Sequence, residues 1–432
     1  MSPELIGVIG LLALFACIAT RMWIGAAMAL VGFIGIASVR GFTQAFAMTG
    51  ILPFKEIAFY PVSAVPMFIL MGMVVAEASL GADLYNTAHK WIGQIRGGLA
   101  SATVFACAML GAITGSAMSG IVVMAKVALP EMRKFNYDDR LSTGTIAAGA
   151  TIGVLIPPSL PFILYAILTE NSIGKLFMAG IIPGILEAVF YIVTIYILCR
   201  VNPKMGPPGP KTSIKEKIVS LKSTWAMLLL FVLVMGGIYA GVFTPTEAGA
   251  VGAFGAIAIA VIARRLNGRN FLKALRETGL ATGMIFIMIA GTFIFMHFMA
   301  VSQLPFWLGD VIAGLDVPDI VVIIAIVVMY ILLGCFLHEV ASVLLTIPII
   351  YPVVLALGME PIWFGVIIVR MMEIGSITPP MGMNVFVLSG ITGIPIGTIF
   401  RGIIPFVIAD FAHVALLIAV PALSLFLPSI ML

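Results

Sequence analysis

Apolar residues run along this chain in blocks too long for the helices of a soluble core. Nearly uncharged windows of roughly 18 residues or more recur, the length of a helix that crosses a bilayer. Leu5–Thr20 and Met22–Ser38 read as two spans joined at Arg21, and Ile57–Ala78 as a third, kinked by Pro61 and Pro66. Asp83–Arg96 is amphipathic and bounded by glycine, which predicts a helix lying at the interface. Leu99–Met132, Leu141–Leu168 and Leu176–Cys199 complete the first half. Asn202–Lys222 is rich in Pro, Gly and Lys and reads as a linker without an apolar stripe. Trp225–Ala240, Glu247–Ala263, Gly279–Val301, Ile320–Leu357, Trp363–Gly390 and Ile403–Leu427 make up the second half. Between two of these, Thr244–Glu247 spells a capping box with proline at the first helical position, a helix start. Strand alternation is absent, so a barrel is not predicted.

Some of these blocks are interrupted, and the interruptions carry the functional reading. Leu99–Met132 contains G-A-I-T-G-S-A-M-S-G, Gly111–Gly120, where small residues let the backbone turn. This predicts a re-entrant hairpin with its tip at Gly115–Gly120. Ile320–Leu357 is interrupted by L-H-E-V-A-S, Leu337–Ser342. Leu141–Leu168 carries I-G-V-L-I-P-P-S, Ile152–Ser159, and Trp363–Gly390 carries I-G-S-I-T-P-P-M, Ile374–Met381. Proline has no N–H, and its ring clashes with the carbonyl four residues back. Pro157 and Pro158 therefore release the carbonyls of Gly153 and Val154, and Pro379 and Pro380 those of Gly375 and Ser376. Released carbonyls at bilayer depth are costly unless they face protein, water or an ion. Two such breaks at matching places point to the binding site of a secondary transporter.

The halves repeat. Displaced by 222 positions, residues 152–183 coincide with their counterparts at eight of 32 places, mostly Gly and Pro. Gly111 and Ser119 meet Gly334 and Ser342 at a shift of 223. The predicted fold is an all-α polytopic membrane protein of two inverted structural repeats, 1–200 and 223–432, joined by a cytoplasmic linker at 201–222. Each repeat has a re-entrant hairpin (about 98–134 and 320–357) and a broken helix (about 141–168 and 363–390).

Composition supports this and narrows the function. The chain is 62% hydrophobic and 10% charged, with mean hydropathy +1.19 and net charge +4. That charge speaks to orientation and not to nucleic acid. Five full crossings and one hairpin in the first half turn the second half upside down. Eighteen Lys and Arg then fall on one side, and only Arg40, Lys55 and Lys175 on the other, with Lys126 and Arg370 inside the membrane. Lys126 is expected to snorkel towards the basic side. The bias places both termini outside the cytoplasm. Glu4 and the lack of a basic n-region make the first block a span and not a cleaved signal. The four cysteines lie in apolar runs without a CxxC pair, which predicts neither disulfide nor metal site. HExxH, Walker A and GxSxG patterns are missing, so neither an enzyme nor an ATP-driven pump is predicted, and no organic cofactor.

The candidate chemistry gathers at the breaks. Ser116 and Ser119 at the first tip, with the carbonyls near Gly153, make a neutral oxygen cage suited to Na⁺. The helix restarting at Ser159 points a partial positive end at the same cavity and favours an anion. The second half offers Thr378, the Gly375 carbonyl, His338–Ser342 and, beyond the prolines, Asn384. Each hydroxyl also has an alternative role in helix packing. Arg370 and Glu373 are spaced to pair on one helical face; alternatively Arg370 holds an anionic substrate. His338 and Glu339 are ion or proton ligands, or only polar groups of a turn. Glu187 and Asp410 receive no role.

G-G-L-A (97–100), G-S-A-M-S-G, I-P-P-S with L-F-M-A-G-I-I-P-G (176–184), G-V-F-T-P-T-E-A (241–248) and T-P-P-M-G-M-N (378–384) together resemble the large membrane subunit of tripartite ATP-independent periplasmic (TRAP) transporters. The likeness covers nearly the whole chain. It implies an elevator-type transporter of the ion-transporter superfamily in a bacterial inner membrane. Such a carrier imports a small organic acid, a carboxylate or sulfonate, with Na⁺. It implies a periplasmic solute-binding protein and a small four-helix membrane subunit as partners, besides membrane lipid. With no extra helices before Leu5, that small subunit is expected as a separate chain. By motif match, a first Na⁺ site is expected at Ser116, Ser119, Gly153, Ile156 and Pro158. A second is expected at Gly375, Thr378 and Met381; where relatives often read F-L-D this chain reads F-L-H, Phe336–His338, then Glu339, so that either Glu339 and His338 complete the site or it is altered in affinity or proton-sensitive. Substrate contacts are expected from Ser116, Ser159, Arg370, Thr378 and Asn384. Two rival functions stand beside this one: a stand-alone dicarboxylate or citrate-type symporter, and a membrane enzyme or channel scaffold.

Overall fold

The computed structural model describes residues 1–314 and 318–431, and among them the regular structure is helical throughout. Among the described residues nine helical segments are long and apolar enough to cross a membrane, so the chain is a multi-pass membrane protein.

The first half comprises α1 (Pro3–Ala19), α2 (Ile24–Arg40), α3 (Phe42–Ile57), α4 (Ala64–Glu77), α5 (Leu80–Ile92), α6 (Gly98–Thr114), α7 (Ala117–Lys134), α8 (Asp139–Leu155), α9 (Leu160–Thr169) and α10 (Ile173–Val201). The second comprises α11 (Ile214–Phe231), which runs through a π turn into α12 (Gly237–Tyr239), then α13 (Pro245–Ile262), α14 (Gly268–Ser302), α15 (Leu304–Ala313), α16 (Asp319–Phe336), α17 (Glu339–Ala356), α18 (Pro361–Ile377), α19 (Met383–Thr392), α20 (Ile396–Ala419) and α21 (Ala422–Ile430). The helix starts obey local chemistry. Thr244 and Glu247 form the expected capping box, Glu247 Oε2 accepting from the Thr244 N–H at 2.8 Å.

Several expectations need correction. Residues 42–57 form a helix in which Pro53 is tolerated, and the third span, read from Ile57, opens with a 3₁₀ turn at Tyr60–Ser63. The linker is shorter than read. Ser213 and Glu216 make a second capping box, and α11 starts at Ile214 within the Lys-rich stretch. The polar first turn packs along α5 without an apolar stripe, because Thr87 Oγ1 donates to the Ser220 carbonyl (2.9 Å) and Trp91 Nε1 to that of Lys217 (3.1 Å). α14 begins eleven residues before Gly279, at Gly268, where Asn267 caps it. α15 lay outside the sequence reading, and the last span divides at Val420–Pro421.

Two apolar clusters organise the packing. One joins α1, α2, α3, α15 and parts of α14 and α17; the other holds the rest of α14 and α17 and the remaining helices. α2 and α14 approach through glycine: a Cβ on Gly25 would lie 2.7 Å from the Ile287 carbonyl oxygen. Small residues permit this close approach where lipid offers no hydrophobic driving force between helices. Asp83 and Glu77 bind Arg265 and Lys273, the latter at 2.7 Å, and tie α5 and α4 to the α13–α14 corner.

Candidate functional site: two broken helices and their hairpins

The first interruption is a hairpin of α6 and α7 whose turn is confined to Gly115–Ser116; Ala117–Gly120, expected in the tip, is already helix. Gly115 adopts φ +59°, which its missing side chain permits. A Cβ there would lie 2.7 Å from the Pro158 carbonyl oxygen. The tip therefore touches the break, Ile156–Ser159, between α8 and α9. Behind it Gly111 of α6 meets Gly153 of α8 backbone to backbone. Ser116 and Ser119 are half-buried, as is Ile156, while Gly153 and Pro158 are buried. Ser116 makes no capping hydrogen bond with its side chain. The Ser159 hydroxyl is buried without a partner among the described residues, and so is that of Thr114. Thr114 was missed by the sequence reading; its only signal was its place next to the tip glycine.

The second half builds the same contact. α16 and α17 form a hairpin with its turn at Leu337–His338, and α18 breaks at Thr378–Gly382 before α19. Gly334 packs on Gly375, and Cys335 Sγ lies 3.6 Å from the Pro379 carbonyl oxygen. Both breaks contain a cis Pro–Pro bond. Across the halves, α7 packs on α19 and α17 on α9, so each hairpin also meets the far helix of the other break.

The second break differs from expectation in detail. The Gly375 carbonyl is not left free: it accepts from the Thr378 N–H at 3.1 Å, because the helix end tightens to an i→i+3 bond. Thr378 Oγ1 donates to the Ile374 carbonyl (2.6 Å). The Asn384 amide is spent on Ser376 Oγ (2.9 Å), strapping α19 to α18 across the break. Pro379, Pro380 and Met381 are exposed, whereas the first break is enclosed. His338 caps α17, its Nδ1 accepting from the Val340 N–H at 3.4 Å, and its Nε2 lies 3.5 Å from Glu339 Oε2.

Arg370 is enclosed by acidic side chains. Its guanidinium is fully buried and binds Glu187 of α10 (2.8 Å), Glu373 (3.0 Å) and Asp410 of α20. The expected pair with Glu373 is present, but two further acids, given no role from sequence, enclose it. Their signal was a single acid in each of two apolar runs, without any hint of the partner. A separate cleft of about 960 Å³ lies between α3, the end of α9, the α12–α13 turn and α14; Lys55, Glu56, Glu170 and His297 line it, and none of the predicted site residues does.

A polytopic helical membrane protein with two broken helices, each closed by a hairpin, is the class that this fold and this pair of sites define. The fold is shared with the Alcanivorax borkumensis YdaH transporter: TM-score 0.67, 18% identity, 89% of each chain covered. The model of the tripartite ATP-independent periplasmic transporter, DctM component, matches residues 11–423, and the chain belongs to that family. It is 35% identical to the C4-dicarboxylate TRAP transporter large permease protein DctM of Pseudomonas aeruginosa, covering 87% of this chain and 88% of that one. It is 34% identical to the sialic acid TRAP transporter large permease protein SiaM of Vibrio cholerae (85% and 86%). With the isethionate TRAP transporter permease protein DctMQ of Oleidesulfovibrio alaskensis it shares 32% identity, over 87% of this chain and 59% of that one. The chain is thus a large permease subunit of a TRAP transporter, a family of transporters and not of enzymes.

Proposed function

We propose that this subunit forms the membrane pathway of a Na⁺-coupled importer for a small organic acid in a bacterial inner membrane. The observation that carries the reading is the meeting of each hairpin with its broken helix, Gly111 on Gly153 and Gly334 on Gly375. In each half it brings a hairpin turn beside a helix end with irregular backbone. Oxygen ligands at such ends suit a hard monovalent cation, and a restarting helix N-terminus suits a carboxylate or sulfonate. Relatives named for C4-dicarboxylates, sialic acid and isethionate support an acid as cargo. Ser116, Ser119, Gly153, Ile156 and Pro158 are proposed to hold one Na⁺, and His338, Glu339, Gly375, Thr378 and Met381 a second. Ser159 and Ser116 remain the proposed substrate contacts at the enclosed break. The repeats would be inverted, the hairpins and broken helices moving together as an elevator against α2, α4, α13 and α14, with both termini periplasmic.

Membership of a tripartite family supports a solute-binding protein that delivers the acid and a small membrane subunit that widens the scaffold. The test is reconstitution in liposomes with both partners. Labelled acid should enter only with an inward Na⁺ gradient and only with the binding protein present. Uptake by this chain alone would overturn binding-protein dependence in favour of a stand-alone symporter, and uptake indifferent to Na⁺ would overturn the coupling.

A further inference from the structure

One guanidinium faces three carboxyl groups in a place that solvent does not reach. Arg370, Glu187 and Asp410 have zero exposure, and Glu373 only 2%. Arg370 Nη1 donates to Glu187 Oε1 and Glu373 Oε2, and Nη2 to Asp410 Oδ1, with the Tyr191 hydroxyl at 3.5 Å. Thr151 Oγ1 donates to Glu187 Oε1 at 3.1 Å. Each acid keeps one oxygen, Glu187 Oε2, Glu373 Oε1 and Asp410 Oδ2, with no donor among the described residues. Fully ionised, the group would hold two negative charges more than its single cation can balance. Uncompensated charges buried at that depth cost free energy on the order of the whole stability of a domain.

Among the described residues the surrounding elements bring no second cation to it. α8 contributes Thr151 and α10 Tyr191, both neutral. α20 contributes His413, one turn from Asp410 and buried against Phe190, with neither ring nitrogen bonded to another side chain among the described residues. α17, which packs on α18, carries another acid, Glu339, and no cation. Nor do three acids or imidazoles converge as metal ligands would among the described residues. The proton is the one cation that needs no coordination shell.

We propose that this cluster is a proton-binding site, with Glu187 and Glu373 carrying a proton each while Asp410 remains the ionised partner of Arg370. Each proton adds to a carboxylate oxygen that now lacks a donor, and the group becomes neutral as a whole. The way to solvent runs through the second hairpin. Glu339 Oε2 lies 3.5 Å from His338 Nε2, and the His338 side chain is 37% exposed at the turn. Movement of that hairpin would open or close the route, so proton occupancy is coupled to the same element that the second proposed Na⁺ site uses. This rests on the transport reading only for that coupling; the protonation itself is tested without transport.

The experiment is infrared spectroscopy of the purified subunit in lipid. The wild type should show a protonated-carboxyl C=O band at neutral pH that shifts in D₂O. Glu187→Gln and Glu373→Gln should each fold, since an amide replaces a neutral carboxyl, and each should remove about half of the band. Glu277→Gln should leave it whole. Absence of the band in the wild type, retention of the whole band in both folded variants, or failure of both Gln variants to fold would each overturn the proposal. Na⁺-driven uptake in liposomes reports separately on the transport reading and can stand while this one falls.

Discussion

Gly334 and Gly375 meet backbone to backbone: a Cβ built on Gly375 would sit 2.6 Å from the Gly334 Cα, and one on Gly334 would sit 3.0 Å from the Gly375 Cα. Gly111 and Gly153 make the corresponding contact in the first half. At both places the neighbour is backbone, which cannot rotate away. Gly153→Ala and Gly375→Ala should therefore each force hairpin and broken helix apart, at about 1–3 kcal/mol. Thermal unfolding in detergent should show the loss, and uptake should fall with it. Gly279→Ala, with open space around it, should change neither. Equal stability of all three variants would contradict the packing.

Removing Arg370 should be more damaging than neutralising either of its glutamates. Arg370→Met strips three buried acids of their donor, and breaking a buried ionic network from one side costs about 3–5 kcal/mol. The yield of folded, monodisperse protein and its melting temperature are the measurements. A variant as stable as the wild type would mean that the network contributes nothing to the fold.

The proposed Na⁺ ligands predict a change in ion dependence and not in fold. Ser116→Ala removes a hydroxyl that caps nothing, and Thr378→Ala one that only bonds within its own helix. Each should raise the Na⁺ concentration for half-maximal uptake by about tenfold, the equivalent of about 1.4 kcal/mol. Unchanged Na⁺ curves in both would remove these residues from the ion sites.

Sidedness is open to a labelling test. Lys175→Cys in a cysteine-free background should react with an impermeant maleimide added to intact cells. Lys211→Cys should react only after permeabilisation. The reverse pattern would invert the proposed orientation.

Ser213→Ala should cost about 0.5–2 kcal/mol, the value of a helix N-cap. The effect should appear as faster amide exchange in the first turn of α11, with uptake preserved. Protection equal to the wild type would deny the cap its role.

How far the sequence reached depends on the range of the interaction concerned. Thr244–Glu247 was legible because a capping box closes within four residues. The equivalent box at Ser213–Glu216 was overlooked in a stretch whose Lys and Pro content suggested a linker. The positions of both breaks followed from Pro157–Pro158 and Pro379–Pro380, since a missing N–H acts on its own helix. Whether the released oxygens stay free did not follow. Thr378 turned its N–H onto Gly375, a local adjustment that several backbone paths could have avoided.

By itself, then, the sequence determined that the chain crosses a membrane many times, where two of its helices must break, and where small residues turn a hairpin. Those are consequences of hydropathy, proline and glycine, which act through neighbours in the chain. Only the tertiary structure decided what each exposed backbone or buried charge would face. Arg370 finds its acids on α10 and α20, and Gly375 finds Gly334 on α16, across separations that no local periodicity encodes. In lipid the apolar faces of these helices are nearly interchangeable, so their partners are chosen by close packing of small residues and by the need to pair every buried polar group.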